Sequence, residues 1–136
     1  VGAQLHEHLG SDALAFAEER GASEAIFANT RGNLCEGAGS NVFCVIDGTL
    51  VTPPATSGCL LGVTRGLLLE LCDDCIERDF PVDALAQADE AFLSSTTREV
   101  QPIAQVDGTA LPAAPGPVAT RLHTSYQALV ARDLDP

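Results

Sequence analysis

Leu34-Cys35-Glu36-Gly37-Ala38-Gly39-Ser40-Asn41-Val42-Phe43-Cys44-Val45-Ile46-Asp47-Gly48-Thr49-Leu50-Val51-Thr52 is the stretch on which the fold turns. Its apolar, β-branched and aromatic residues favour extended backbone, and Asp47-Gly48 between two such runs is the strongest hairpin signal in the chain. Pro53-Pro54 ends the second run, because proline cannot donate to a strand ladder. Upstream, a strand beginning near Leu34 is interrupted by Glu36-Gly37-Ala38-Gly39-Ser40 and resumes at Asn41. Glycines in mid-strand mark a bulge or a close approach of backbone to something else. The same residues also suit a bulged turn with an exposed acid.

Working outward, Leu9, Ala13, Phe16 and Ala17 have helical spacing, and Arg20-Gly21 closes a helix predicted over about His8–Arg20. A strand follows over Glu24–Asn29, ended by the turn Thr30-Arg31-Gly32-Asn33. Beyond Pro54, a loop leads to Gly62-Val63-Thr64-Arg65 and a helix running to about Glu77, with Leu67, Leu68, Leu71, Cys72 and Cys75 as its buried stripe. Pro81–Ala88 reads as a short helix or loop, Glu90–Ser94 and Val100–Val106 as strands, and Asp107-Gly108 as a second tight turn. The proline-rich loop Leu111–Pro117 hands over to a last helix, Val118 to about Ala131. No repeat or linker divides the chain. The expectation is one α+β domain over residues 1–136, with mostly antiparallel strands around one core and two or three helices.

Composition narrows the partners. Hydrophobic residues make up 46% and charged residues 19% of the 136, a globular balance. Seven basic against nineteen acidic residues leave a net charge of −12, which argues against nucleic-acid or anionic-membrane surfaces. No apolar run has the length of a membrane span, and the first residues lack the pattern of a signal peptide. The odd set of five cysteines suits buried free thiols in a reducing compartment, so a cytoplasmic protein is expected. Cys72-Asp73-Asp74-Cys75 has the C-x-x-C form, but no second ligand pair stands at metal spacing and His6, His8 and His123 lie far away in sequence. No metal site is expected. All seven basic residues are arginines, and the sequence has neither lysine nor methionine. A lysine-poor genome explains that composition; a fragment of a longer chain is the other expectation.

Three segments look built around a ligand. Glu36-Gly37-Ala38-Gly39-Ser40-Asn41 places an acid on a strand next to Cys35, where it needs a hydrogen-bonding or cationic partner. Gly62-Val63-Thr64 opens a helix, and free amides at a helix N-terminus suit an anion such as phosphate. An ordinary helix start has the same residues, and the P-loop pattern is absent. Ser94-Ser95-Thr96-Thr97-Arg98-Glu99 sets four hydroxyls and an arginine at a strand end, able to wrap the other side of a phosphate or receive a carboxylate, or simply to face solvent.

In this order, Cys35–Phe43, Thr52–Arg65 and Ala88–Ile103 resemble the class IV aminotransferases, the pyridoxal-phosphate enzymes that include branched-chain aminotransferase, D-amino-acid aminotransferase and 4-amino-4-deoxychorismate lyase. The resemblance runs from Glu24 to the final helix. It implies the larger, C-terminal cofactor-binding domain of that fold, a barrel-like core of mostly antiparallel strands flanked by helices. It also implies pyridoxal 5′-phosphate as cofactor, a small-molecule amino donor or acceptor as substrate, and a homodimer. By the same resemblance Glu36 meets the pyridine nitrogen, Leu60 packs on a ring face, Val63, Thr64 and Thr96 hold the phosphate, and Thr97 meets the substrate carboxylate. Ser40 and Asn41 match the motif as supports of the strand. Between Arg31 and Arg65 the sequence looks closer to the deoxychorismate lyases and actinobacterial-type aminotransferase-like members than to a typical branched-chain enzyme.

The departure is chemical. The family's Schiff-base lysine belongs at or just before the first residues, which read Val1-Gly2-Ala3-Gln4-Leu5, and neither His6 nor His8 can replace an amine. The resemblance also implies that the family's smaller N-terminal domain is not among these 136 residues. Two expectations follow: a transaminase or lyase present as a fragment, with no catalytic residue of its own, or a non-catalytic descendant that binds or scaffolds. An in-frame lysine codon upstream of Val1 decides for the first.

Overall fold

Asn41–Ile46 and Glu90–Ser95 carry too many apolar residues for strands with one wet face, and the computed structural model shows both covered on each side. The structure describes residues 2–6 and 24–134. The helix predicted over about His8–Arg20 therefore lies outside the described residues.

Two five-stranded mixed sheets form the frame. In the first, β1 (Gly2–His6) runs parallel to β2 (Glu24–Ala28), which pairs antiparallel with β3 (Leu34–Gly37). In the second, β4 (Asn41–Ile46) lies between β5 (Thr49–Thr52) and the later strand β7 (Glu90–Ser95), and β6 (Ile76–Glu77) adds parallel to β5. β8 (Glu99–Pro102) pairs antiparallel with β7; β9 (Gln105–Val106) returns to the first sheet beside β1, and β10 (Thr109–Ala110) pairs antiparallel with β9. Among the described residues the α-helices are α1 (Val63–Leu71) and α2 (Pro117–Leu134), and Ala55–Ser57 and Val82–Gln87 form short 3-10 turns. The anticipated barrel-like core is thus two sheets, mostly antiparallel, with parallel pairings at β1 and β6.

Strand periodicity sorts the core into two layers. Val42 and Cys44 of β4, with Ala91 and Leu93 of β7, face Ala3, Ile26 and Leu34 of the first sheet. Phe43, Val45 and Phe92 face the other way, against Leu68 and Cys72 around α1 and Ala119, Leu122 and Tyr126 of α2. Phe43 and Phe92, directly paired in register, stack with centroids 5.1 Å apart. The layering is sheet, sheet, helices.

Both hairpins turn as read. Asp47 and Gly48 sit at φ 50° and 79°, Asp107 and Gly108 at 49° and 82°, the positive pair a type I′ turn requires. Three boundaries differ. Residues 36–40 are not a bulge within one strand: Gly37 donates to the Ser40 carbonyl at 2.8 Å, and this tight turn carries the chain from the first sheet to the second. α1 stops at Leu71, because Cys72 is extended and Ile76 is taken into the sheet opposite Val51. Val100–Val106 is two strands, since Pro102 has no amide to continue a ladder and β8 and β9 belong to different sheets.

Candidate functional site

The sheet-to-sheet turn, the start of α1 and the end of β7 meet around one cavity of about 290 Å³. Glu36, Leu60, Val63, Thr64, Thr96 and Thr97 all line it, so the structure brings together the six residues to which the family resemblance gives roles.

The first wall is Glu36 to Asn41. Because the turn crosses between sheets, Glu36 at the end of β3 and Asn41 at the start of β4 come to the same mouth. Half-buried Glu36 accepts the Leu60 amide on Oε1 at 2.6 Å; Oε2 has no partner among the described residues. Buried Asn41 donates from Nδ2 to the Leu60 carbonyl at 2.7 Å. The peptide on either side of Leu60 is therefore clamped, while its side chain is 76% exposed. Behind it, residues 55–59 are pinned by hydrogen bonds from Asn29, Arg31 and the Cys35 thiol to the Ser57 and Thr56 carbonyls. An apolar side chain is held out on a fixed backbone.

The second wall is the N-terminus of α1. Gly62 is the N-cap residue and no side chain caps the helix. A Cβ on Gly62 would come 2.5 Å from Asn41 Oδ1, so close packing keeps that position glycine. Thr64 is buried, whereas Val63 is exposed. The first-turn amides of an uncapped helix carry about half a positive charge and open on this cavity.

The third wall is the end of β7 and the turn to β8. Ser95 Oγ accepts the Arg98 amide at 2.9 Å and shapes the turn, leaving Thr96 and Thr97 exposed at the rim. Arg98, read from the sequence as a possible anion ligand, does not line the cavity. Its guanidinium lies 3.8 Å from buried Glu24, which also accepts the Ser40 hydroxyl at 2.9 Å. Glu24 thus ties the first wall to the third. Sequence reading passed over Glu24, whose partners lie 16 and 74 positions away.

Electrostatics separate this site from the cysteines. Burial, and then the neighbouring Glu36 carboxylate, raises the Cys35 thiol above its ordinary range. In the C-x-x-C, the Cys72 thiol donates to Asp74 at 2.9 Å, and burial pushes Cys75 up to about 12. Thiols held protonated are poor nucleophiles. The cavity instead offers donors for an anion at α1 and one free carboxylate oxygen for a donor at Glu36.

A family model described as amino-transferase class IV matches residues 12–106. This chain belongs to the class IV aminotransferase family. It is 39% identical over 124 residues to the branched-chain-amino-acid aminotransferase of Pseudomonas aeruginosa, covering 88% of this chain and 40% of that one. It is 37% identical over 116 residues to the D-alanine aminotransferase of Bacillus licheniformis, covering 82% and 41%. Among solved structures, the branched-chain aminotransferase of Thermoproteus uzoniensis with norvaline superposes at a TM-score of 0.88, with 30% identity over 96% of this chain and 51% of that one. The PLP-form of the Thermobaculum terrenum enzyme also reaches 0.88 at 30% identity, over 95% and 50%. The class IV fold expected from the motifs is the fold observed. The chain spans about two-fifths of the length of the curated relatives it matches.

Proposed function

We propose that this chain is the cofactor-binding domain, residues 1–136, of a pyridoxal-phosphate-dependent aminotransferase acting on small amino acids, branched-chain ones foremost. The carrying observation is the convergence of a partly free carboxylate and an uncapped helix N-terminus on one cavity. Its volume stands at the lower edge of the roughly 300–1,000 Å³ usual for small-molecule sites. The relatives, a branched-chain-amino-acid and a D-alanine aminotransferase, favour transamination over the lyase branch. A homodimer in the cytoplasm belongs to the same reading, supported by the family and the free thiols.

Bound there, pyridoxal phosphate supplies an electron sink for a carbanion at the substrate carbon. Glu36 accepts the pyridinium N–H and holds that proton on the ring, the condition for the sink to be strong. The amides of Val63 and Thr64, with the Thr64 and Thr96 hydroxyls, receive the phosphate at the positive end of α1. Leu60, fixed by its clamped backbone, covers a ring face and keeps water from it. Thr97, at the rim, meets the substrate carboxylate through its backbone. The sequence has no lysine, so these residues bind and orient but do not move the proton at the substrate carbon. The second reading is a non-catalytic binding module, in which the same residues hold the ligand and no chemistry follows.

Titration of the purified chain with pyridoxal phosphate tests both. Saturable, reversible binding weakened by Glu36→Gln is expected, and no binding at all sinks the cofactor reading. Transamination by this chain alone, above background, would place the nucleophile elsewhere and remove the binding-module reading.

A further inference from the structure

The helix-facing side of β7 reads Glu90, Phe92, Ser94. Ser94 pairs directly with Asn41 of β4, whose Oδ1 packs against Gly62 at the start of α1. Ser94 is 1% exposed, lines the cavity, and its Oγ has no hydrogen-bond partner among the described residues. An orphaned buried hydroxyl is costly and rare enough to need a cause. Of the neighbouring hydroxyls, Ser95 already accepts an amide within its own turn, and Thr96 and Thr97 are exposed. The other orphaned atom, Arg65 Nε, lies on a guanidinium already held by the Pro53 carbonyl and Glu77. Thr64, buried and lining the cavity as well, carries a second hydroxyl there, but among the described residues Ser94 Oγ is the cavity hydroxyl that is both shut off from solvent and without a partner. The groups around it on α1 are the first-turn amides, which only donate, and the Thr64 hydroxyl, which can donate as well, so one species that satisfies them and the serine together is an acceptor of several hydrogen bonds.

We propose that Ser94 Oγ donates to a phosphate oxygen beside the first-turn amides of α1, as a ligand of the anion that the cavity takes up; this rests on the cofactor reading above. A hydroxyl kept unpaired for a ligand leaves a signature opposite to that of a structural one. Removing it relieves the free protein and harms only the complex.

Pyridoxamine 5′-phosphate is the probe, because it lacks the aldehyde that forms an imine with any free amine. Its affinity and that of pyridoxamine, without the phosphate, are measured by calorimetry on the whole chain, wild type and Ser94→Ala, with thermal unfolding of both in the absence of ligand. The expected result is roughly ten-fold weaker binding of the phosphorylated probe by Ser94→Ala. Binding of pyridoxamine is unchanged, and the ligand-free melting temperature is equal to or above wild type. Ser94→Cys, of similar volume with a weak donor, falls between the two and serves if the alanine variant does not fold. Unchanged affinity for the phosphorylated probe means that water satisfies Ser94, and overturns the proposal. A lower ligand-free melting temperature in both variants assigns it a structural role and also overturns it. If wild type binds neither probe, the cofactor reading fails and takes this inference with it; if it binds both equally, only the phosphate assignment falls.

Discussion

α1 and α2 both begin over β7, and their N-termini are treated in opposite ways. At one end of the strand, Glu90 is 3% exposed and its two oxygens accept the amides of Val118 and Ala119 at 3.0 and 2.9 Å. α2 opens with Pro117, which has no amide to satisfy. At the other end, Ser94 lies beneath the cavity to which α1 presents its first turn, with no side-chain cap. One helix start is neutralised from within the fold by a built-in carboxylate; the other is uncapped and, in the function proposed above, receives an anion from outside. Every helix leaves first-turn amides unpaired, and a domain can spend them on stability or on binding. Here the two uses stand four residues apart on one strand.

The largest way to break this comparison is Glu90→Ala. It strips two charge-assisted hydrogen bonds and leaves buried amides without acceptors, so equilibrium denaturation should show a loss of about 2–4 kcal/mol. Ligand affinity in the surviving folded fraction should not move. A change in affinity as large as the change in stability would mean that the two ends are not separate.

Gly62→Ala attacks the open end through packing. The added methyl meets Asn41 Oδ1, and relief requires Asn41 to release the Leu60 carbonyl. The cost should be about 1–3 kcal/mol by overpacking, and here affinity for pyridoxal phosphate should fall too. Glu36→Ala sharpens the same end: about ten-fold weaker binding of the cofactor with a smaller loss of stability, since this carboxylate holds one amide and is only half-buried. Equal binding by wild type and Glu36→Ala in titration would detach Glu36 from the ligand.

How much of this was legible follows from how local each cause is. Asp47-Gly48 and Asp107-Gly108 were legible because two adjacent positive φ angles restrict residue choice within the turn itself. The strand Asn41–Ile46 was legible in its β-branched and aromatic run, whereas its burial on both faces is a structural finding. Gly37–Ser40 looked like a bulge because nothing in those residues says that the next strand belongs to another sheet. Leu71-Cys72-Asp73-Asp74-Cys75 keeps helical spacing, and only the distant edge of β5 draws Ile76 into a strand. The six lining residues were found through ordered motifs, and their convergence on one cavity is a structural finding. Glu90 went unread for the opposite reason: its partners lie 28 and 29 residues away, in a helix whose start shows no cap of its own.

The smallest effect is also the cleanest test of the contrast. Inorganic phosphate has no ring for Glu36 or Leu60, so whatever stabilisation it gives must come from the donors at α1 and the end of β7. At five times its dissociation constant, binding to the folded chain alone adds about 1 kcal/mol, a shift of a few degrees in melting temperature. Glu90→Ala should gain the same increment from its lower baseline, because the two ends share no hydrogen-bond partner and independent sites add. Gly62→Ala should gain little or nothing, since its first turn is displaced from the cavity. Chloride at matched ionic strength controls for screening, which acts on the −12 charge as a whole and not on one helix end. A phosphate increment lost in Glu90→Ala and kept in Gly62→Ala would reverse the assignment, making α2 the anion-binding helix and α1 the structural one.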